Sequence, residues 1–267
     1  MRTITYRLRA AALVLPVLLV ASAGCDIAMA DHKEQETAEW RKSYQLQPGG
    51  RVEISNVNGA IEVKPGEGNA VEIVARKTAR GATREAAKEA LGRIEIKEES
   101  SASLVKIETK LQRGGGLFHG GGLQVEYILR VPRNVEVRVS TVNGGVEIEG
   151  VGGKISAEAT NGGIKARDIS GPIEATTTNG GVELDLAKVP EDGVKLECTN
   201  GGIRLRLPAD AKATISARIT NGGIETSGLA LDATGEQSRR RLDGRLNGGG
   251  PRIDLEGTNG GIRISSR

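Results

Sequence analysis

Hydrophobic and polar residues alternate one by one through most of the second half of the chain. The segment 194–206 shows the pattern: apolar residues occupy every second position before a Thr-Asn-Gly-Gly turn and again after it, at Val194, Leu196, Cys198, Ile203 and Leu205. Period-two alternation directs one set of side chains inward and the other into water. Each such segment is therefore predicted to form two half-buried strands that meet at a corner.

The Thr-Asn-Gly-Gly turn, or a near variant, returns at intervals of 18 or 21 residues between positions 143 and 221. A fixed period near 20 residues is the signature of a solenoid. Asparagine and glycine accept positive φ at low cost, so this tetrapeptide suits a corner. The corner asparagines are Asn143, Asn161, Asn179, Asn200, Asn221 and Asn259, with a looser copy at Asn247 and an early single copy at Asn58.

The outward residues that follow each corner change sign from one repeat to the next. The series is Glu147, Lys165, Glu183, Arg204 and Glu225, and two positions further on it is Glu149, Arg167, Asp185 and Arg206. If successive repeats lie side by side as parallel strands about 4.8 Å apart, every charge has opposite neighbours. An isolated Asn-Gly pair would favour a hairpin meander. In a meander, equivalent strands of successive repeats would not be neighbours, so the alternation of charge would bring no opposite charges together. We therefore predict an all-β fold, a β-solenoid of stacked 18–21-residue repeats over residues 135–267.

Residues 1–30 have the features of a targeting segment. Three arginines precede an apolar run of roughly 14 residues, which is short for a membrane span of about 20. Two processing sites compete. The sequence Ser22-Ala23-Gly24-Cys25 resembles a lipobox and would make Cys25 the lipidated first residue, although Ser22 stands where leucine is usual. The sequence Ala28-Met29-Ala30 fits cleavage after Ala30 and a soluble product.

Between this segment and the repeats, the pattern predicts a polar tether over residues 31–47 and a β-rich subdomain over residues 48–134. The subdomain contains a helix near residues 82–91, and a glycine-rich connection carries Phe118 and His119. The repeat frame also occurs once over residues 52–63. Its outward Glu62 would lie against like-charged Glu147 if the two repeats touched, so either the two repeats are not adjacent or something intervenes.

The composition argues against several classes of function. The chain has 267 residues, two histidines and a formal net charge of +3, which offers little material for a transition-metal cluster and no reason to expect nucleic acid as a partner. The acidic residues of the charge series alternate with basic ones, which suits a stabilising ladder better than a pair of catalytic carboxylates. We expect no cofactor and no enzymatic activity. Cys198 is expected to be a small buried hydrophobe, and the asparagine row to be structural.

Three stretches together resemble a known family. Residues 48–59 read Pro-Gly-Gly-Arg-Val-Glu-Ile-Ser-Asn-Val-Asn-Gly, residues 140–148 read Ser-Thr-Val-Asn-Gly-Gly-Val-Glu-Ile, and the Thr-Asn-Gly-Gly series follows. Over roughly residues 45–267 this resembles the bacterial β-strand-repeat "putative adhesin" family, a domain of unknown function in exported envelope proteins. The resemblance implies a β-solenoid in the cell envelope and supplies no catalytic residues.

The leading hypothesis is an exported, lipid-anchored β-solenoid that serves as a non-catalytic adhesion or interaction scaffold of the bacterial envelope. Its partner would be an unknown protein or glycan, and the membrane itself if Cys25 is lipidated. The alternative is a periplasmic, partner-binding component of envelope-stress sensing. A polysaccharide-active β-helix enzyme is a third possibility, and surface exposure is left open.

Overall fold

A computed structural model describes residues 34–112, 122–234 and 237–267, which belong to one compact unit. The fold is all-β with one helix in the described residues, as predicted. The strands are β1 (Glu34–Gln45), β2 (Arg51–Asn58), β3 (Ile61–Pro65), β4 (Ala70–Gly81), β5 (Ile94–Ser100), β6 (Leu104–Leu111), β7 (Leu123–Val131), β8 (Glu136–Asn143), β9 (Val146–Glu149), β10 (Ile155–Asn161), β11 (Ile164–Ile169), β12 (Ile173–Asn179), β13 (Val182–Leu186), β14 (Val194–Asn200), β15 (Ile203–Leu207), β16 (Ala213–Ser227), β17 (Leu231–Ala233), β18 (Arg241–Leu246) and β19 (Arg252–Ser266). The helix α1 (Arg84–Leu91) lies between β4 and β5.

Each repeat contributes one strand before its corner and one after it. Strands that precede the corner pair in parallel from repeat to repeat in the spatial order β2, β8, β10, β12, β14, β19, β16. Strands that follow the corner pair in the same way in the order β3, β9, β11, β13, β15, with the second halves of β19 and β16 completing the series. Neighbouring repeats are therefore joined edge to edge, with their corners in register.

Spatial order departs from chain order at the C-terminal end. Strand β19, the last in the chain, lies between the β14–β15 repeat and β16. The outer edge of β16 is covered before its corner by β18, and β17 continues that sheet. The carbonyl oxygens of Arg240 and Arg239 accept hydrogen bonds of 2.9 Å from the amides of Ile219 and Ile224. These contacts satisfy part of a sheet edge that would otherwise be open to another chain.

The early repeat over residues 52–63 stacks directly on the repeat that contains Asn143, because β2 pairs with β8 and β3 with β9. The two repeats are therefore adjacent, which contradicts the first of the two expectations, and Glu62 is aligned with Glu147. Lys64 compensates for the like charges. Its Nζ lies 2.5 Å from the Glu62 carboxylate, and its pKa is raised by that hydrogen bond, by the charge of Glu62 and by the charges of Glu149 and Glu147.

Residues 34–45 form a strand where a tether was expected. Strand β1 pairs antiparallel with β4 along its full length, and Trp40 and Tyr44 pack against the core. The side chains that point inward from β1 include Glu36 and Ala38. A strand is recognised in a sequence by apolar residues at every second position. Where those positions hold a charged and a small residue, the alternation of hydrophobicity is too weak to indicate a strand.

The predicted helix is present as α1 and packs against β4 and β1. Thr83 is its N-cap, and the Thr83 hydroxyl accepts a 3.2 Å hydrogen bond from the Ala86 amide. The predictions for residues 1–30 and for Phe118 and His119 lie outside the described residues. The boundary between residues 134 and 135 stays a prediction.

The core is a slim column of Val, Ile, Leu and Ala enclosed between the two series of strands. Tyr127 is the largest fully buried side chain, and its hydroxyl lies 2.7 Å from that of Thr109. Burial raises the pKa of Tyr127 to about 12. Cys198 is buried as expected, but its thiol is also a donor, with Sγ 3.1 Å from the Gly180 carbonyl oxygen. Burial raises the pKa of this thiol, which keeps it protonated at neutral pH.

Candidate interaction surface along the corners

The corner asparagines form one continuous hydrogen-bonded row. Each Nδ2 donates to the Oδ1 of the asparagine on one neighbouring repeat, over 2.8–2.9 Å, in the spatial order Asn58, Asn143, Asn161, Asn179, Asn200, Asn259, Asn221. At the first end, Asn58 Nδ2 donates to the Leu123 carbonyl oxygen at 3.1 Å. Stacked amides satisfy one another in this arrangement although they lie at the surface. The asparagine row is therefore part of the scaffold.

The first glycine of each corner is required by the close stacking of the backbone. A Cβ atom on Gly144 would lie 2.1 Å from the Gly59 carbonyl oxygen, and one on Gly162 would lie 1.9 Å from that of Gly144. The amide of the same glycine donates to the next repeat, as from Gly162 to the Asn179 carbonyl at 2.8 Å. No other amino acid lacks a Cβ atom, so glycine is the residue that permits this spacing.

The surface beside the asparagine row is polar and exposed. The residue before the corner asparagine is an exposed threonine in five repeats, namely Thr160, Thr178, Thr199, Thr220 and Thr258. Hydroxyls, side-chain amides and bare glycine backbone thus recur at the spacing of parallel strands, about 4.8 Å. Such a surface can bind a partner by hydrogen bonds at regular intervals, and it contributes no group suited to covalent chemistry.

Four residues of the charge series are aligned on successive strands, and the fifth has a different neighbour. Glu147, Lys165, Glu183 and Arg204 are aligned on successive strands, so each charge meets an opposite one. Arg204 forms an ion pair with Glu183, and Arg167 Nη1 lies 2.5 Å from the Glu147 carboxylate. These side chains are about half exposed, so each pair stabilises the fold by less than about 1 kcal/mol.

The expected contact between Arg204 and Glu225 is wrong, because β19 lies between their strands. Arg263 of β19 is aligned with Arg204 on one side and with Glu225 on the other. Arg263 Nη2 lies 2.8 Å from the Glu225 carboxylate. The sequence did contain a signal for Arg263, since it follows Asn259 by the same four residues that separate each residue of the charge series from its corner asparagine.

This arrangement predicts different effects for two charge reversals. Lys165→Glu would place three carboxylates in a row and should lower the free energy of unfolding by about 0.5–1 kcal/mol at low salt. Arg204→Glu should have a smaller effect. The new carboxylate is repelled by Glu183 on one side, but it is attracted by Arg263 on the other. Urea unfolding at low and high ionic strength measures both, and the Lys165 effect should shrink with salt. Equal effects of the two variants would contradict the strand order.

One further candidate residue lies away from this surface. Asn247, the looser copy, adopts a positive φ of 51° and is not in the asparagine row. Its Nδ2 donates to the carbonyl oxygens of Ala209 and Ala211 at 3.2 and 2.8 Å. Cys25 lies outside the described residues.

The carboxyl groups with clearly shifted pKa values favour their charged form. Hydrogen bonds from Tyr44 and from Ser216, respectively, are the largest causes that lower the pKa values of Glu98 and Asp243. Desolvation raises the pKa of Glu136, but hydrogen bonds from Arg51 and Arg138 outweigh it, and the pKa is lowered. A general acid for glycoside hydrolysis needs the opposite shift.

The described residues contain no group of three or more His, Cys, Asp and Glu side chains placed to hold a metal ion. In the same part of the chain, no helix has the length and apolar character needed to cross a bilayer.

The fold and the corners together define an all-β repeat protein with a β-solenoid-like sheet. Residues 134–265 match the family described as Toastrack DUF4097. This match confirms the resemblance to a domain family of unknown function that the corner motifs indicated. A search of curated proteins finds no match.

Several solved structures are similar to this chain at low identity. A "putative cell adhesion protein" from Clostridium sporogenes is 13% identical with a TM-score of 0.46, and the match covers 86% of this chain and 100% of that one. A "putative adhesin" from Bacteroides fragilis is 8% identical with a TM-score of 0.35, covering 86% and 97%. A "putative lipid binding protein" from Parabacteroides distasonis is 11% identical with a TM-score of 0.25, covering 85% and 96%. TM-scores below 0.5 give these similarities no weight in an argument about function.

Proposed function

We propose that this protein is an exported, non-catalytic interaction scaffold of the bacterial envelope. In this proposal the 18–21-residue Asn-Gly-Gly repeats are the units of a β-solenoid over residues 135–267, stacked on a β-rich subdomain over residues 48–134. The observation that carries the proposal is the unbroken row from Asn58 to Asn221, which presents polar groups at a constant spacing. A regular, rigid and polar surface suits the binding of an extended partner.

The proposal includes a lipid anchor at Cys25. The support comes from the sequence alone, in which Cys25 directly follows the apolar run of the targeting segment. A lipid chain at this position would hold the folded part at a membrane surface without a membrane-spanning helix. An adhesin in this sense binds a partner while it stays attached to its own cell.

Protease digestion of intact and permeabilised cells tests the location. We expect intact cells to lose the protein on digestion, and the mature N-terminus to carry the mass of a lipidated Cys25. The matched control is Cys25→Ser, which should release the protein from the membrane fraction. Protection until permeabilisation would contradict an outward-facing adhesin and would favour the periplasmic partner-binding alternative.

Binding is tested separately with the purified full chain, kept in mild detergent, and washed envelope fractions of target cells. We expect saturable binding that unlabelled protein displaces. Binding that rises linearly with concentration and resists displacement would contradict an interaction scaffold.

A further inference from the structure

We propose that the groove at the C-terminal end of the corner surface binds an acidic polysaccharide, held through Arg204 and Arg263. This inference rests on the proposed function and names the chemistry of its partner. The groove has a volume of about 640 Å³. Its floor consists of corner glycines of four adjacent repeats, and its charged side chains are Glu183, Arg204, Arg263, Glu225 and Arg239.

The first observation is a pair of like charges on neighbouring strands. Arg204 and Arg263 are directly aligned in the pairing of β15 with β19, so their strands are about 4.8 Å apart. On the side of β16, Arg263 pairs with Glu225, but on the side of β15 it faces a like charge. Two residues further on, the same inserted strand carries Ser265 beside Arg206, and no like-charge contact arises there. Arg263 therefore adds a repulsion that a serine would avoid.

The second observation comes from the other like-charge pair in the same series of strands. Glu62 and Glu147 are also aligned, but Lys64 lies among these carboxylates and compensates for them. No comparable carboxylate lies between Arg204 and Arg263 among the described residues. Their two acidic partners lie on the outer sides, with Glu183 bound to Arg204 and Glu225 bound to Arg263. The strand order β13, β15, β19, β16 therefore places neither glutamate between the strands that carry the two arginines.

The charged side chains that line the groove have a net positive charge. Three arginines and two glutamates line it. Arg239 forms no ion pair with any described residue, and the same holds for Arg206, whose aligned neighbour Asp185 lies 3.3 Å from Arg267 instead. Two guanidinium groups on adjacent strands can both donate to one carboxylate with charge-assisted hydrogen bonds, which are stronger than neutral ones.

The rest of the lining favours a sugar chain over a peptide. The glycine floor exposes backbone only, and Ile203 and Ile262 are buried beneath it, so no apolar side-chain pocket is present to hold peptide residues. The glycines of the groove follow the corner asparagines in the chain, and the exposed Thr199, Thr220 and Thr258 precede those asparagines, on the other side of the corner. A polymer with hydroxyl groups and regularly spaced carboxylates matches both the hydrogen-bonding surface and the arginine pair.

The test is equilibrium binding of the full chain, purified in mild detergent, to fluorescein-labelled oligogalacturonate at about 0.15 M salt. That ionic strength suppresses diffuse attraction between separated charges. A neutral malto-oligosaccharide of equal length shows whether the carboxylates are needed, and a polyglutamate of equal charge tests the peptide alternative.

Three variants accompany the wild type. Arg263→Ser copies the neighbouring Ser265, and Arg263→Lys keeps the charge but removes the planar guanidinium. The matched control is Arg252→Ser, because Arg252 lies on the same strand, is exposed and pairs with Asp254, but does not line the groove. Thermal unfolding followed by circular dichroism confirms that each variant is folded.

We expect Arg263→Ser to weaken oligogalacturonate binding about tenfold or more, as for the loss of a charge-assisted contact. Arg263→Lys should give a smaller loss, and Arg252→Ser should stay within about twofold of the wild type, as for a distant screened charge. Equal losses for Arg263→Ser and Arg252→Ser would show diffuse attraction and overturn the site. Polyglutamate binding of equal strength and equal dependence on Arg263 would assign the groove to acidic peptides.

The envelope-binding experiment separates failure of this inference from failure of the proposed function. If wild type and Arg263→Ser bind envelope fractions equally well and neither binds oligogalacturonate, the interaction scaffold stands and the acidic-polysaccharide groove is wrong. If neither protein binds envelope fractions, the proposed function is wrong as well.

Discussion

Replacing Gly144 with alanine is expected to lower the free energy of unfolding by about 4 kcal/mol or more, or to prevent folding. The new Cβ atom would lie 2.1 Å from the Gly59 carbonyl oxygen and 2.5 Å from its carbon, both of which are backbone atoms that cannot rotate away. Relief requires the two repeats to separate. That movement would strain the hydrogen bonds between these two repeats, from the Gly59 amide to the Asn143 carbonyl (2.8 Å) and from the Ile61 amide to the Gly145 carbonyl (3.0 Å).

The matched control is Gly145→Ala, one residue along the same corner. A Cβ atom on Gly145 would lie 3.5 Å from the Gly163 carbonyl oxygen, which is an ordinary contact. Neither Gly144 nor Gly145 has a positive φ in the left-handed region, so the comparison isolates the close approach of the backbone. Alanine at position 145 should change stability by less than about 1 kcal/mol, in part because it restricts the unfolded chain. Chemical denaturation measures both variants, and similar losses would contradict the assigned roles of the two glycines.

Replacing Asn179 with alanine is expected to cost about 1–2 kcal/mol of stability, which is the second-largest effect. Asn179 lies in the middle of the asparagine row, so its Nδ2 donates to Asn161 Oδ1 and its Oδ1 accepts from Asn200 Nδ2, both at 2.9 Å. Alanine removes both hydrogen bonds and leaves two neighbouring amides to water. Because the row is exposed, water can form hydrogen bonds with the two neighbouring amides. The expected cost in stability is therefore below that of leaving a buried polar group without a partner.

The end of the row provides the control for this effect. Asn221 has one asparagine neighbour and donates to Asn259 Oδ1 at 2.9 Å. Asn221→Ala should therefore cost about half as much as Asn179→Ala, about 0.5–1 kcal/mol. The same denaturation experiment compares the two. A larger loss at Asn221 than at Asn179 would show that the row does not act as a chain of equivalent hydrogen bonds.

Much of the candidate surface could be predicted from local patterns. The alternation at Val194, Leu196 and Cys198 marked the buried positions correctly, because a strand places every second side chain on the same face. The Asn-Gly-Gly motif marked the corners, because these residues suit tight backbone geometry. The charge series placed Lys165 between Glu147 and Glu183, as the structure shows.

The errors concern the partners of each strand. Residues 31–47 were expected to be a tether because they are polar and charged without clear periodicity, and the pairing of β1 with β4 was not visible locally. The repeats of Glu62 and Glu147 were expected either not to be adjacent or to have something between them, because like charges repel. That repulsion is small at an exposed position and is compensated by Lys64. In both cases an edge available for backbone hydrogen bonding outweighed a weak side-chain signal.

By itself, the sequence determined which residues are buried, where the chain turns and which residues form the row of corner asparagines. These features depend on periodicity and on backbone preferences that act within a few residues. Only the tertiary structure decided the order in which the last repeats stack. Strand β19 inserts between β15 and β16, which moves Glu225 away from Arg204 and brings Arg263 beside it. Backbone edges of parallel strands are chemically alike, so which pair of edges meets is a property of the whole chain.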